Sequence, residues 1–217
     1  MIKLYGIGFS NNVNKVRYCL NYLGLKYEWI QTNPMQGENQ TGEFLKISAS
    51  GKIPAVEIDG KGYFESNAIN KYLASKNKSD VYPADLEKRA AVDEWMDYAS
   101  IHIGNAVGRV LFNRVFAPMM GKEVDENSLK TGLEFLAKYL PICDKQLGKS
   151  KFLAGDSFTL ADINLLAILD PAEMGKIDLN PYRNLVKWRN NLKAKDFYQK
   201  CYKDYGQYIQ ELMSAKA

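Results

Sequence analysis

Residues 50–69 constrain the fold more than any other stretch, because they predict a strand, a tight turn, a second strand and a helix in immediate succession. Residues 55–58 form a short apolar run, and Asp59-Gly60 is a dipeptide that tolerates the positive φ angles of a hairpin turn. Strand character resumes at residues 63–64. We therefore expect an antiparallel pair of strands that leads directly into a helix.

Both ends of this predicted pair offer binding groups. Pro54 has no amide hydrogen, so at the entrance of the first strand it leaves the backbone of Ile53 free to pair with something other than a strand, such as a peptide ligand. Glu65 and Ser66 lie where the second strand gives way to an amphipathic segment. We expect Ser66 to cap the helix, whose N-terminus attracts anions and suits a ligand carboxylate.

Composition limits the class of protein. The chain has 217 residues, of which 46% are apolar, enough for sizeable cores. Its start shows no apolar signal segment, and no apolar run approaches the roughly 20 residues of a membrane span, so we expect a cytoplasmic protein without a membrane partner. The net charge of +4 is spread along the chain without basic runs, which argues against a nucleic-acid partner.

The cysteines exclude two kinds of framework. Cys19, Cys143 and Cys201 are odd in number and widely spaced, and they form no Cys-x-x-Cys pair. His102 is the only histidine that could complete a metal site. We therefore expect neither a zinc site nor a disulfide framework.

The first part of the chain predicts one mixed domain. Residues 2–5 predict a strand, and a helix follows in which apolar residues recur from Val13 to Leu23, with Gly24 as its C-terminal cap. Residues 25–30 predict a second strand, and residues 44–47 a brief helical turn before the hairpin. The order is β-α-β-α-β-β-α, and we place this domain at residues 1–77, followed by a linker at 78–86.

The remainder, residues 87–217, predicts an all-helical domain, so the chain as a whole is α+β. Pro118 would end the first helix, and Pro141 implies a kink or a break in the second. The expected helices cover residues 87–116, 125–147, 158–169, 182–192 and 196–202, followed by a frayed or helical tail.

The helix at 158–169 is almost entirely apolar and must be buried. Its start has the pattern of a capping box, with Thr159 as N-cap and Asp162 three residues on. Phe158 can pack against Ile163 as a hydrophobic staple.

A mixed domain followed by an all-helical one resembles the cytosolic glutathione transferases, and three motifs agree with that resemblance. Residues 51–54 are similar to the family's loop whose proline is cis, Glu65-Ser66 to its γ-glutamyl-binding pair, and residues 158–162 to the start of its buried helix. The match covers nearly the whole chain. It implies a thioredoxin-like, glutathione-binding first domain.

The resemblance also implies an enzyme that conjugates glutathione, its co-substrate, to an electrophile or uses it to reduce a hydroperoxide. Ser10 is similar to the catalytic residue of the serine-type theta, delta and phi classes. Its hydroxyl would donate to the glutathione sulfur and stabilise the thiolate near pH 7, because an unperturbed thiol has a pKa of about 8.5 and would be mostly protonated there. A plain capping or loop role for Ser10 stays open, as does Tyr5 as a competing catalyst. We expect Cys19 to be a buried, inert thiol.

The binding residues that the resemblance implies lie mainly in the first domain. The cysteinyl backbone of glutathione would pair with Ile53 beside Pro54, and its γ-glutamyl end would meet Glu65 and Ser66. Lys52 would either meet the glycyl end or offer only its backbone. Asn39 and Gln40 occupy positions where several classes carry basic residues for the glycyl carboxylate.

A second-substrate pocket would use residues from both domains. A role in the core or in a dimer interface is open for the same residues. The candidates are Phe9, Arg109, Asn113 and Phe116, with Met120 beside them.

Two alternatives remain open. One is a non-catalytic binding or assembly module of the same family, and the other is a thiol-disulfide oxidoreductase, which would need a cysteine where Ser10 stands. We expect a homodimer that takes glutathione and a small hydrophobic electrophile.

Overall fold

The computed structural model describes residues 1–201, which form two compact units. Met1–Tyr82 together with residues 195–201 make up the first unit, and Pro83–Ala194 the second. The domain limits expected from the sequence, 1–77 and 87–217, stay a prediction. The expected tail and the last residue of the 196–202 helix lie outside the described residues.

The first unit has the predicted order β-α-β-α-β-β-α. Two single-turn 3₁₀ helices, Pro34–Gln36 and Glu38–Gln40, lie between the second strand and the second helix. The elements are β1 (Ile2–Gly6), α1 (Asn11–Tyr22), β2 (Glu28–Gln31), α2 (Gly42–Ile47), β3 (Ala55–Ile58), β4 (Lys61–Phe64) and α3 (Ser66–Lys76).

The strands form one mixed sheet in the order β2-β1-β3-β4. β1 is parallel to β2 and antiparallel to β3, and β3 is antiparallel to β4. Ala55 at the start of β3 pairs with Tyr5 near the end of β1 and with Phe64 at the end of β4. At the other end of the hairpin, Asp59 and Gly60 have φ angles of 52° and 82°, as the predicted turn requires.

The second strand is shorter than the predicted 25–30, because the end of α1 uses Leu25. The Leu25 amide donates to the carbonyl of Leu20 at 2.9 Å, and Gly24 adopts a φ of 66°. This is the helix-terminating arrangement that the glycine predicted, but it holds the chain close to α1 for one residue more. The strand therefore begins only at Glu28.

The second unit is helical apart from an isolated bridge between Phe152 and Gly155. None of the helices within residues 1–201 has the length and apolar character needed to cross a membrane. Its helices are α4 (Leu86–Tyr98), α5 (Asn105–Leu111), α6 (Ala117–Met119), α7 (Glu126–Leu147), α8 (Leu160–Leu169) and α9 (Arg183–Lys193); α10 (Asp196–Gln199) belongs to the first unit.

The single helix predicted at 87–116 is interrupted by two π-helical turns, Ala99–Gly104 and Phe112–Phe116, and it ends at Met119, beyond Pro118. At the first turn, the Asn164 side chain donates to the Met96 carbonyl at 2.7 Å and to the Ser100 hydroxyl at 2.9 Å. A side chain inserted in this way widens the helical ladder.

Pro141 does not break the second long helix, because α7 continues through this residue. Proline removes one hydrogen bond, to the carbonyl four residues earlier, which here belongs to Ala137. Both Ala137 and Pro141 are exposed, so water can take over that carbonyl.

The start of α8 confirms the predicted buried helix and its acidic cap. Asp162 has no exposed surface, and its carboxylate accepts four hydrogen bonds. Leu153 N and Trp188 Nε1 donate to Oδ1 at 3.1 and 3.0 Å, and the amide and hydroxyl of Thr159 donate to Oδ2 at 3.0 and 3.2 Å. Burial raises the pKa of this carboxyl to about 6, which still leaves it ionised at neutral pH.

We predict that Asp162→Asn lowers the free energy of unfolding by about 3 kcal/mol or more. Each carboxylate oxygen of Asp162 accepts two hydrogen bonds, and in the variant an NH₂ group takes the place of one oxygen. That NH₂ group is itself a donor, so two buried donors lose their acceptor. Chemical denaturation measures the change. Asp156→Asn, at an exposed acidic residue of the segment that leads into α8, is the matched control and should change stability by no more than about 0.5 kcal/mol. Equal stability of the two variants would contradict the assignment.

Candidate active site

The sheet register gathers the predicted site residues of the first unit at one edge. β1 ends there and leads to Ser10, β3 begins there after Pro54, and β4 ends there before Glu65. Because neighbouring strands are paired residue by residue, the three segments lie side by side. Helices α1 and α3 both start from this edge, so their positive N-termini face the same region.

Ser10 is the N-cap of α1. Its hydroxyl accepts a hydrogen bond from Val13 N at 3.4 Å, and its carbonyl accepts the first helical bond from Asn14 N at 2.9 Å. The side chain is partly exposed, and its hydroxyl hydrogen donates to no residue within 1–201. The cap therefore orients the oxygen and leaves the donor available to a ligand.

Tyr5 and Cys19 lie in different surroundings. The Tyr5 ring packs edge-to-face against Phe44 of α2, with centroids 6.0 Å apart, and burial, followed by the charge of Glu57, raises the pKa of its phenol. Cys19 is fully buried, and burial raises the pKa of its thiol far above the ordinary value. The thiol is thus held in its unreactive protonated form.

Hydrogen bonds from side chains to the carbonyls of Gly51 and Lys52 hold the loop before β3 in place, and we call this set of bonds the loop clamp. The side-chain amides of Asn39 and Gln40 both donate to the Gly51 carbonyl, at 2.6 and 3.1 Å, and the Ser48 hydroxyl donates to the Lys52 carbonyl at 3.0 Å. Gly51 has a φ of 60°, and a Cβ there would lie 2.7 Å from Gln40 Nε2. Only glycine meets both conditions.

This clamp fixes the loop up to Lys52 and leaves the next residue unpaired. The Ile53–Pro54 peptide bond is cis, as expected from the resemblance. Ile53 lies outside both strand ladders, and its backbone bonds to no residue within 1–201. Lys52 is exposed and its ammonium contacts no acidic group of the described residues.

Glu65 and Ser66 are arranged differently from the prediction. Ser66 is not the helix cap: Glu65 occupies that position, with a φ of 68°, and Ser66 is the first helical residue. Glu65 is the single residue between β4 and α3, and its positive φ accompanies the change from strand to helix. Ser66 is 8% exposed, and as the first residue of α3 it belongs to the first turn, whose amides have no partner within the helix.

The four residues proposed for a second-substrate pocket occur in both units. Phe9 is partly exposed in the first unit. In the second unit, Arg109 is exposed and donates to the Ser128 hydroxyl at 3.1 Å, and Phe116 is partly exposed. Asn113 is 2% exposed and fully engaged, because it donates to the Arg109 carbonyl at 3.0 Å and accepts from Asp125 N at 2.9 Å.

The edge of the sheet thus presents a hydroxyl donor, an unpaired backbone segment, a carboxylate and two helix N-termini. These groups suit a short peptide. The carboxylate can receive an ammonium, the helix N-termini can receive carboxylates, and the hydroxyl can donate to a thiolate. No group of three His, Cys, Asp or Glu side chains within residues 1–201 is placed to hold a metal ion.

Comparisons with known proteins agree with this chemistry. The sequence profile of the glutathione S-transferase N-terminal domain matches residues 1–75, and that of the C-terminal domain matches residues 109–196. Glutathione S-transferase 3 of Zea mays is 34% identical over 205 residues, which cover 92% of each chain.

Two solved structures show the same architecture. Glutathione transferase F7 from Populus trichocarpa superimposes with a TM-score of 0.85 at 27% identity, covering 96% of this chain and 99% of that one. Glutathione S-transferase I from maize, in complex with an atrazine glutathione conjugate, gives 0.85 at 31% identity over 92% and 95%. The chain belongs to the glutathione S-transferase family, and its activity is glutathione transfer.

Sequence reasoning missed one residue of the loop clamp and the mode of action of two others. Ser48 is completely buried, yet nothing in its sequence context signals that its hydroxyl holds the Lys52 carbonyl. Asn39 and Gln40 were expected at a ligand, and the structure places their amide donors on Gly51. The signal available was the glycine between polar residues, which indicates a close approach.

The backbone strain at Glu65 has a measurable consequence. We predict that Glu65→Gly is more stable than Glu65→Ala by about 1 kcal/mol. Glycine relieves a backbone strain of about 1–3 kcal/mol, and its larger loss of chain entropy on folding offsets about 0.5–1 kcal/mol of that gain. Both variants lose the carboxylate, so alanine is the matched control. Thermal or denaturant unfolding measures the difference. A glycine variant no more stable than the alanine variant would contradict the strain.

Proposed function

We propose that this transferase activates glutathione through Ser10. The catalytic requirement is to hold the glutathione thiol as thiolate near pH 7, against an ordinary thiol pKa of about 8.5. The Ser10 hydroxyl donates to the sulfur, and the N-terminus of α1 adds a favourable field. Neither group is the nucleophile, which is the sulfur of glutathione itself.

The single observation that carries this proposal is the geometry of the Ser10 cap. A hydroxyl that accepts from Val13 N still has its hydrogen to give, and the cap fixes where that hydrogen can point. Tyr5 is held against Phe44 on α2 instead, which favours the serine over the tyrosine. Serine at this position also disfavours thiol-disulfide exchange, which needs a cysteine there.

The remaining contacts follow from which groups are free. The cysteinyl backbone of glutathione pairs with Ile53 beside Pro54, and its γ-glutamyl end binds with its ammonium at Glu65 and its carboxylate at Ser66 and the α3 N-terminus. Lys52 receives the glycyl carboxylate, because the donors of the other two expected residues are engaged. Asn39 and Gln40 serve binding by fixing the loop that presents Ile53.

The second substrate in this proposal is a small hydrophobic electrophile. Its candidate contacts are Phe9 in the first unit and Arg109 and Phe116 in the second. The partly exposed aromatic rings of this set suit an apolar molecule. Asn113 supports the set from within, through its bond to the Arg109 carbonyl. A cytoplasmic location fits the cysteines, because Cys19, Cys143 and Cys201 are buried thiols that form no disulfide with one another.

We predict that Ser10→Ala leaves glutathione affinity nearly unchanged and lowers turnover with an aryl halide at pH 6.5 by about 10- to 100-fold. The lost hydrogen bond raises the pKa of the bound thiol, so turnover should recover as the pH rises. The measurement is kcat/KM as a function of pH. Tyr5→Phe is the matched loss of a hydroxyl and should leave the profile in place. A profile moved by Tyr5→Phe and not by Ser10→Ala would overturn the assignment.

The proposal includes a homodimer, and exposed apolar groups in each unit support it. In the first unit, Phe64 is 42% exposed at the end of β4. In the second unit, Ile101 is 56% exposed, and Phe135 is exposed on α7. Aromatic and aliphatic side chains that are exposed in one chain are the residue types that homodimer interfaces bury.

We predict a mass of twice 24.6 kDa by light scattering at micromolar concentration. Ile101→Glu should shift the equilibrium towards one chain, because a charge would be buried without a partner. Ile101→Val keeps the surface apolar and should not. A wild-type protein that is monomeric at this concentration would rule the dimer out.

A further inference from the structure

The pairing of β3 with β4 sets the direction of a peptide bound along Ile53. Ala55 pairs with Phe64, which directly precedes Glu65. The chain beyond Ile53 therefore leads towards the start of α3, whereas the chain before it leads to Lys52 and the loop clamp. The proposed function puts the γ-glutamyl end of glutathione at the start of α3. With the cysteinyl backbone on Ile53, the glycyl end must then lie on the side of Lys52.

The γ-glutamyl side has groups that suit a carboxylate. Ser66 is 8% exposed, and the amides of the first turn of α3 have no partner within the helix. This helix has 11 residues, so its N-terminus also carries the positive end of a helix dipole. A carboxylate bound there would accept charge-assisted hydrogen bonds, each of which changes an affinity by about tenfold or more.

The amide side chains on the glycyl side serve the loop clamp. Asn39 and Gln40 both donate to the Gly51 carbonyl, at 2.6 and 3.1 Å. Asn39 is 8% exposed, and its Oδ1 atom is buried and accepts no hydrogen bond within residues 1–201. An amide oxygen is an acceptor, so it cannot bond a carboxylate. Gln40 is exposed and keeps one amide hydrogen, which is a neutral donor.

The charges on the glycyl side are few and exposed. Residues 38–52 contain two basic residues, Lys46 and Lys52, and two acidic residues, Glu38 and Glu43, so their charges cancel. All four are exposed, and of the two lysines only Lys52 adjoins Ile53. An ion pair between exposed groups contributes little, because water solvates both partners and salt screens them. Such a pair changes an affinity by about fivefold at most.

We propose that this enzyme accepts, besides glutathione, γ-glutamylcysteinylglycine thiols whose glycyl carboxylate is esterified or amidated. The γ-glutamyl carboxylate and the cysteinyl backbone select the thiol, whereas the glycyl carboxylate adds one exposed ion pair with Lys52. This inference rests on the proposed function, which supplies the orientation of the peptide.

The covalent step is the same for every thiol of this class. The thiol gives its proton to the buffer, and the thiolate sulfur forms a bond to the electrophilic carbon of an aryl halide. The halide leaves with the electron pair of the bond that breaks.

The two monoethyl esters of glutathione are isomers and form a matched pair of probes. One carries the ethyl group on the glycyl carboxylate, the other on the α-carboxylate of the γ-glutamyl group. The measurement is kcat/KM of the full-length protein with an aryl halide, divided by the uncatalysed rate for the same thiol. We expect the glycyl ester to stay within about tenfold of glutathione. The other isomer should lose about 50-fold or more, because its charge-assisted hydrogen bonds at α3 are gone.

The loss for the glycyl ester should lie in KM, with kcat unchanged. The glycyl end takes no part in the reaction, so it is bound equally well in the ground state and in the transition state.

The variant Lys52→Met removes the charge and keeps the length of the side chain. It should lower kcat/KM for glutathione by less than about tenfold and leave the glycyl ester unchanged, because that ester has no charge for Lys52 to meet. Lys46→Met, at an exposed lysine of α2, is the matched control and should change neither value. Both lysines are exposed, so the melting temperatures should stay unchanged.

The other outcomes are also decisive. If glutathione is turned over and the glycyl ester loses tenfold or more, the proposal is wrong and the proposed function stands. If the two isomers lose equally, or if Lys52→Met slows the glycyl ester as much as glutathione, the assigned orientation of the peptide is wrong and the proposal fails with it. If the wild-type protein does not turn over glutathione, the proposed function itself fails.

Discussion

The pairing of β3 with β1 on one side and β4 on the other is the constraint on which the site depends. Ala55 faces Tyr5 and Phe64 across the two ladders, so the start of β3 is held between the ends of its neighbours. A shift of one residue in either ladder would turn every side chain of that strand to the opposite face. It would also separate Ser10, Ile53 and Glu65, which depend on this edge for their proximity.

Around that edge, the protein uses its own polar groups so that a defined few remain for a ligand. The carbonyls of Gly51 and Lys52 are taken by side chains, whereas the backbone of Ile53 is left unpaired. The oxygen of Ser10 is engaged by Val13 N, whereas its hydrogen is not. A ligand therefore meets groups whose directions are already set, which reduces the entropy lost on binding. The strain at Glu65 is the part of this arrangement that lowers stability.

Much of the fold could be predicted from the sequence. Turn chemistry located the hairpin at Asp59 and Gly60, and the Asp162 pattern located the buried start of α8, since both signals are local. Two features could not be predicted. The start of β2 depends on the hydrogen bond from the Leu25 amide to the Leu20 carbonyl at the end of α1. The π-helical turn at residues 99–104 depends on the hydrogen bond from Asn164 to the Met96 carbonyl, which is distant in sequence. The motif residues of the candidate site were found in sequence, while Ser48 was not. Its importance comes from the hydrogen bond that its buried hydroxyl makes, which one sequence does not display.

If Ser10 acts as proposed, the bound thiol of glutathione is ionised at neutral pH. The direct measurement is the thiolate absorbance of glutathione in the ultraviolet, recorded as a pH titration of the complex with the wild-type protein. We predict an apparent pKa for the bound thiol at least about one unit below the ordinary value of about 8.5. A complex that forms, but whose thiol titrates at that ordinary value, would contradict thiolate stabilisation by this protein and would favour a binding module without catalysis.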